Sequence, residues 1–404
     1  MKIKGCRVCG SKNLLKILSL GNQYLSDFVK TNKKPKAFPL NIYVCKRCLL
    51  VQLDYNAPQK YLYTERYGYK SGINQTMRDE LKGIAQEAIK KMKKTKEKIV
   101  AVDIGANDGT MLSFYPKSVH RISVEPVAKL AKISKKYANE VVNDFFTYEA
   151  YAKHTKNYKA DIISAISCFY DMEEPNKFVD DVKKVMKENG IFIIQQNYLV
   201  EMLRKNAFDN IVHEHLEYYS LHSLNNLLAR HDLEVFDVEL RDLNGGSFRT
   251  YIAQKGKRKI SKNVLKMQTL EKRLKLTNKK VYTDFGKRIK DNKDKIITFI
   301  KQETKKGKKI YLYGASTRGN TLLQYFGITP KEIPFAVERN PEKWGKIIAS
   351  VGIKIISEEK ARKQKPDYML VLPWFFKEEF LKRESAYLKA GGHFIFPLPK
   401  LDVI

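Results

Sequence analysis

Long apolar runs are missing from this sequence. No stretch approaches the roughly 18 apolar residues of a membrane-spanning helix, and the first residues hold no apolar signal core. The expectation is a cytoplasmic protein with no membrane partner. Cysteine is also scarce: there are five in 404 residues, four of them in two tight pairs. That pattern excludes a disulfide framework and points to reduced thiols. Acidic residues are few beside the basic ones, 44 against 76, which leaves a formal charge of +32. Such an excess attracts polyanions: nucleic acid, an anionic surface or phosphorylated substrates. Here, however, the lysines are spread along the chain and interleaved with acids, as on solvated helix faces, and nucleic acid is not an expected partner. Two common signatures are absent as well. Residue 217, four after His213, is glutamate, so the metalloprotease H-E-x-x-H fails. Asn107 stands where G-x-G-x-x-G needs its second glycine, which argues against an NAD site.

What is present begins with zinc chemistry. Residues 6–9 read CRVC and residues 45–48 read CKRC, with 35 residues between the pairs. Two C-x-x-C pairs, each on its own turn, can set four thiolates around one metal. Cys6, Cys9, Cys45 and Cys48 are therefore expected to hold a structural zinc ion, with no open position for substrate.

Residues 99–110, IVAVDIGANDGT, read as a buried parallel strand, an acid at its end and a glycine turn into a helix. An acid followed by G-x-x-x-G suits S-adenosylmethionine. Gly105 and Gly109 let the backbone approach the amino-acid part of the cofactor, Asn107 lies between them, and Asp103 can take the ammonium. Glu125 ends the next strand at the offset of a ribose-gripping carboxylate. Asp144 and Phe145 suit adenine, and Ser167 ends a further strand at the crevice. A later unit, KIYLYGASTRGNTLLQYFG, repeats the strand, glycine turn and helix. Its Ser316, Arg318 and Asn320 form a candidate anion seat, suited to a diphosphate. Glu338 ends the strand that follows.

The stretch NIVHEHLEYYSLHSL, residues 210–224, offers acid–base chemistry at His213 and His215 with Glu214 as support. It equally reads as a solvated loop in which Ser220 caps a helix. Gly245 and Gly246 mark either a close backbone approach or a hairpin turn.

In order and spacing, the paired CRVC and CKRC, DIGANDGT, FDNIVHEHLEYYS, NGGSFR, YGASTRGNTLLQYFG and the closing PLP resemble the three-domain, zinc-containing sugar C-methyltransferases that act on nucleotide-linked deoxy keto-sugars. The resemblance spans nearly the whole chain. It implies an α/β protein with a zinc-binding module at 1–60, a class I S-adenosylmethionine-dependent methyltransferase domain of Rossmann-like fold at 61–255, and a helical linker with a second Rossmann-like domain at 256–404. It also implies a nucleotide-diphosphate sugar between the last two domains, in a monomer or weak homo-oligomer. By the same resemblance His215 is the base that forms an enolate, and Glu214 supports it. The family carries tyrosine where this chain has Val212. Tyr63, Tyr67 and Tyr69, in a tyrosine-rich stretch, are candidates for the missing donor, as are Asn197 and His213, with Tyr198 beside them. Sugar O-methylation on the same scaffold, RNA methylation beside a zinc module, and sugar-nucleotide binding without catalysis are the alternatives.

Overall fold

The computed structural model describes residues 1–31, 33–62, 69–92 and 97–404. Three sheets organise it. The middle sheet has seven strands in the order Leu233–Arg241, Ser247–Gln254, Met186–Asn197, Ala160–Ile166, Val100–Ile104, His120–Val124, Glu140–Val142. The last five are mutually parallel, and the first two form an antiparallel hairpin along one edge. Val100–Ile104 is buried along its whole length, because a parallel strand covered on both faces has no solvated side to fill with polar residues. Strand order reverses between Val100–Ile104 and Ala160–Ile166, and at such a point the crevice beyond the carboxyl ends receives a ligand.

The C-terminal sheet repeats this logic with eight strands. Five central ones are parallel, led by Ile310–Tyr313 and Phe335–Glu338. The helix Lys279–Lys305 precedes it and buries Tyr282, Phe285, Ile289, Ile296 and Ile300, the amphipathic stripe that its sequence spacing predicts. The class is therefore α/β, with a small N-terminal module and two Rossmann-like units. Among the described residues no helix is long and apolar enough to cross a membrane.

Strand pairing crosses the expected boundaries at 60 and 255. Phe28–Val29, from the N-terminal module, pairs with Ile347–Ile348 as the edge of the C-terminal sheet. In exchange, Glu217–Tyr218 leaves the middle domain and pairs with Val51–Leu53, closing the four-stranded N-terminal sheet. The partner strand Val51–Leu53 follows directly on the second cysteine pair. Each pair lies on a tight turn: Gly10 N donates to Cys6 O, and Leu49 N to Cys45 O. The four sulfurs lie within 4.8 Å of one another. Sγ of Cys6 is 3.5 Å from that of Cys48, as is Cys9 from Cys45. A tetrahedron with Zn–S bonds of about 2.3 Å has edges of about 3.8 Å, so the donor set fits zinc.

Removing that metal should reach beyond the module. Cys45→Ser, or treatment with a strong chelator, is expected to lower bound zinc from about one equivalent per chain and to lower Tm, since a structural zinc contributes directly to folding free energy. Metal analysis and calorimetry check this. A metal-free protein with an unchanged melt would end the structural role.

Candidate active site

The first glycine turn is held from two sides. Asn107 adopts a positive φ of 55° between Gly105 at 69° and Gly109 at 77°. Its backbone N–H donates to Glu125 Oε2 at 2.8 Å, and Glu125 Oε1 accepts from Val127 N at 2.9 Å. The Asn107 side chain accepts from Ser71 N and donates to Tyr69 O, tying the segment before the first long helix to the turn. A Cβ on Gly105 would meet Cys168 Sγ at 3.0 Å, and one on Gly109 would meet Ser134 Cα at 2.8 Å. Both glycines are thus required by close packing as well as by φ.

Beyond this turn opens a pocket with two characters. Asp103, Asn107, Glu125, Ser167 and Asp171 line its polar part, and Met77, Leu81, Met111, Val127, Phe146 and Phe178 its apolar part. Asp103 is buried, and its carboxylate accepts from Ser164 Oγ at 2.6 Å. Burial, assisted by the nearby Glu125, pushes its pKa up to about 7. Burial likewise raises Glu125. Two confined carboxylates with so little compensation fit a ligand bearing a cation and hydroxyl donors, and the apolar part fits a flat ring. That is the chemistry of S-adenosylmethionine.

The expected cofactor residues separate here. Asp103, Gly105, Asn107, Glu125, Phe145 and Ser167 line the pocket, and Ser167 holds a left-handed φ of 58°. Gly109 packs against the helix Ala128–Ser134 instead, and Asp144 is an exposed residue whose Oδ1 accepts from Phe145 N. Phe146, one place further on, is a lining residue that the sequence reading missed. Cys168 also lines the pocket and donates from Sγ to Ile104 O. Tyr69 lines the cofactor pocket, not a separate substrate site; Tyr63 and Tyr67 lie outside the described residues.

The histidine segment is mostly buried, with Glu214 and His215 half-buried, and is not a solvated loop. Its end matches expectation: Ser220 caps the helix Leu221–Leu228 through a capping box with Ser223. His213 donates from Nε2 to Phe38 O at 3.1 Å, in the N-terminal module, and burial lowers its pKa to about 4. It fastens two domains and is committed away from the pocket. His215 differs. Its Nδ1 donates to Asn210 O at 2.9 Å, and its ring packs on Tyr170 with centroids 4.3 Å apart. Tyr170 sits in the turn Phe169–Asp171, whose Asp171 lines the cofactor pocket. Because a carbonyl can only accept, Nδ1 carries the proton and Nε2 keeps its lone pair. Burial first, and the Arg318 cation second, lower the His215 pKa to about 3. Both effects favour the neutral imidazole near pH 7. The group that orients it is the Asn210 carbonyl, not Glu214, whose own carboxyl is raised by burial.

The other candidates each have protein partners. Asn197 donates to Asn210 Oδ1 at 2.6 Å. Tyr198 is fully buried with its hydroxyl on Glu271, which also caps the helix Leu221–Leu228 through Leu221 N and His222 N. The second glycine turn is filled by its own neighbours. Ala315 N and Asn340 N donate to Glu338, Lys343 pairs with Glu338 at 3.5 Å, and Ser316 Oγ accepts from Gly319 N. Asn320 joins Ser26 to Ser350. Arg318 is bound to Asp209 and Asn244 and is no free anion seat. Gly245 and Gly246 form a hairpin turn and also allow close approach: Cβ atoms there would meet Trp374 at 3.0 Å and Glu201 at 2.4 Å. Val212 is buried.

The raised Asp103 sets a pH dependence. Below about pH 7 the empty pocket holds Asp103 protonated, and an ammonium can bind only after that proton leaves. S-adenosylmethionine affinity is therefore expected to fall by up to about tenfold per pH unit below 7, one pKa unit being worth about 1.4 kcal/mol. Asp103→Asn should bind weakly with that dependence removed. Calorimetric titration across pH measures both, and a pH-independent wild-type affinity would remove Asp103 as the ammonium contact.

Comparison with known proteins agrees with this layout. Three family models match in succession: a zinc binding domain over residues 6–63, a methyltransferase domain over 74–238, and a C-methyltransferase C-terminal domain over 242–399. The C-methyltransferase NovU of Streptomyces niveus is 29% identical over 409 residues, covering 100% of this chain and 97% of its own. Among solved structures, the plantazolicin methyltransferase BpumL bound to SAH and a pentazolic analogue covers 46% of this chain and 87% of its own, at 12% identity and a TM-score of 0.35. The mitomycin 7-O-methyltransferase MmcR covers 47% and 62%, at 16% identity and a TM-score of 0.33. At those scores neither likeness bears on the site. The ordered family matches, the full-length relative, the four-cysteine cluster and the two-part pocket agree, and along its whole length the chain is similar to C-methyltransferases that join a zinc-binding module to an S-adenosylmethionine-dependent domain.

Proposed function

We propose that the substrate is a nucleotide-linked deoxy keto-sugar and that His215 removes the proton from the carbon next to its ketone. The observation that carries this reading is the state of His215: neutral, held in one tautomer by the Asn210 carbonyl, and packed on the turn that borders the cofactor pocket. S-adenosylmethionine, when bound, supplies an electrophilic methyl group, and a carbon nucleophile is needed to receive it. Nε2 of His215 takes the proton, and the electron pair of the C–H bond passes into the enolate. In the empty site the imidazole is a weak base. An enolate forming beside it is an opposite charge in a dry environment, which raises the affinity of Nε2 for the proton as the reaction proceeds. Val212 offers no hydroxyl, so any donor to the enolate oxygen comes from elsewhere in the site. The sugar nucleotide is supported by the sequence resemblance and by the second Rossmann-like domain packed against the histidine segment.

His215→Ala is expected to lower turnover by about 10²–10⁴ while leaving S-adenosylmethionine affinity nearly intact. Full activity would remove His215 from the chemistry. Methyl transfer from a labelled donor to nucleotide-linked keto-sugars in deuterated water, read by mass spectrometry, should show deuterium entering at the carbon beside the ketone. A methyl group found on oxygen would favour the O-methylation alternative. At saturating cofactor, kcat should show no loss assigned to His215 between about pH 5 and 8, because an imidazole with a pKa near 3 stays neutral there.

A further inference from the structure

The segment that carries His215 belongs to the middle domain, yet it is fixed largely from the C-terminal domain. Its carbonyl anchor, Asn210, ends the 3₁₀ turn Phe208–Asn210, in which all three residues are buried. Asp209 accepts through Oδ2 from Nε and Nη2 of Arg318, at 3.0 and 2.6 Å, and from Trp374 Nε1 at 3.1 Å. The remaining nitrogen of Arg318, Nη1, donates to Asn244 O at 2.7 Å, and the guanidinium lies 4.5 Å from the centre of the Phe375 ring. One residue past Asn210, the Ile211 carbonyl accepts from Thr321 Oγ1 at 3.1 Å. The Phe208 ring meets Tyr325 and Phe326 on the same helix, Thr317–Phe326. Residues on both sides of the Asn210 carbonyl are therefore held by one C-terminal helix and by Trp374.

We infer that Arg318 is a positioning residue for His215, acting through Asp209 and the Asn210 peptide, so that the C-terminal domain sets the orientation of the imidazole. The inference rests on the reading of His215 as the base. Arg318 has all three nitrogens engaged with protein, and it need not touch the substrate to matter. The titratable and charged groups around the imidazole are Arg318 and Asp209 from this clamp, Tyr170 and Asp171 from the turn after Ala160–Ile166, and Glu214 and Tyr218 on its own segment. Tyr218 donates to the His215 carbonyl at 2.9 Å, and its hydroxyl also lies 3.4 Å from the Asn210 carbonyl that holds the ring.

The test uses the full-length protein with zinc bound. Arg318→Lys keeps the charge, but a point-like ammonium cannot span Asp209 and Asn244 as the guanidinium does. Arg318→Gln removes the charge as well. Both are expected to lower kcat by about 10- to 100-fold with substrate KM and cofactor Kd nearly unchanged, the signature of a displaced reacting group. Asp209→Asn combined with Arg318→Gln should be little worse than the more damaging single change, because the pair acts as a unit. Nitrogen-15 NMR of the imidazole supplies a readout that loss of stability alone would not move. Wild-type His215 should show one tautomer, protonated at Nδ1, down to about pH 4, whereas Arg318→Gln should show a mixture that titrates at higher pH. Should Arg318→Gln fail to fold, Arg318→Lys carries the same tautomer measurement. An unchanged His215 tautomer in a folded variant overturns the inference, whatever happens to turnover. A fully active His215→Ala variant would instead sink the base reading, and the tautomer measurement keeps the two failures apart.

Discussion

The buried ion pair between Asp209 and Arg318 is the contact on which the arrangement of this protein turns. Asp209 has no exposed side-chain surface, and Arg318 has 13%. Burying a carboxylate is costly unless a cation and hydrogen-bond donors meet it, and removing one partner of such a pair costs on the order of 3–5 kcal/mol. Asp209 can therefore be buried only where Arg318 and Trp374 are delivered to it, which fixes the C-terminal domain against the middle one. The residues that follow, 210–218, inherit their position from that contact. His213 and the strand Glu217–Tyr218 then carry the same segment to the N-terminal module, so contacts from all three domains converge on residues 208–218.

This convergence ties the four-cysteine module to the histidine segment. The thiolates shape the module whose strand Val51–Leu53 receives Glu217–Tyr218. Arg7, between the first two cysteines, donates to Gln52 and Leu53 and leaves a positive charge near the buried Glu217. A metal bound there would steady the far end of the histidine segment through that strand.

The two glycine turns show how one local pattern serves two ends. In each, an acid at the end of the following strand accepts from the turn and from a backbone N–H two residues on. Glu125 does this for Asn107 and Val127, and Glu338 for Ala315 and Asn340. The difference is the third group. Glu338 is met by Lys343, while Glu125 is driven upward by burial, with the nearby Asp108 adding to it. The first turn keeps an unmet demand for positive charge and hydroxyl donors; the second has satisfied its own. Inspection of the turn sequence alone suggested two ligand seats, because Lys343 and Asp209 are distant from it along the chain.

What the sequence determined by itself is what short-range chemistry encodes. Cysteine spacing set the metal cluster, apolar runs ending in Asp103 and Glu125 set the strands and the cofactor crevice, and Ser220 with Ser223 set a helix start. Apart from the joining of the two cysteine pairs across 35 residues, each depends on groups within a few residues, or on a strand period that burial alone enforces. The roles of the long-range polar residues needed the tertiary structure. Arg318, Asn320 and Tyr198 all look like ligand-binding side chains in sequence, and all are spent on protein partners. His213 and His215, two residues apart, diverge completely: one binds the Phe38 carbonyl in the N-terminal module, the other binds the Asn210 carbonyl and packs on Tyr170, in the turn that borders the cofactor pocket. Sequence gives a polar side chain its capacity to donate and accept, but only the folded chain decides which partner fills that capacity first.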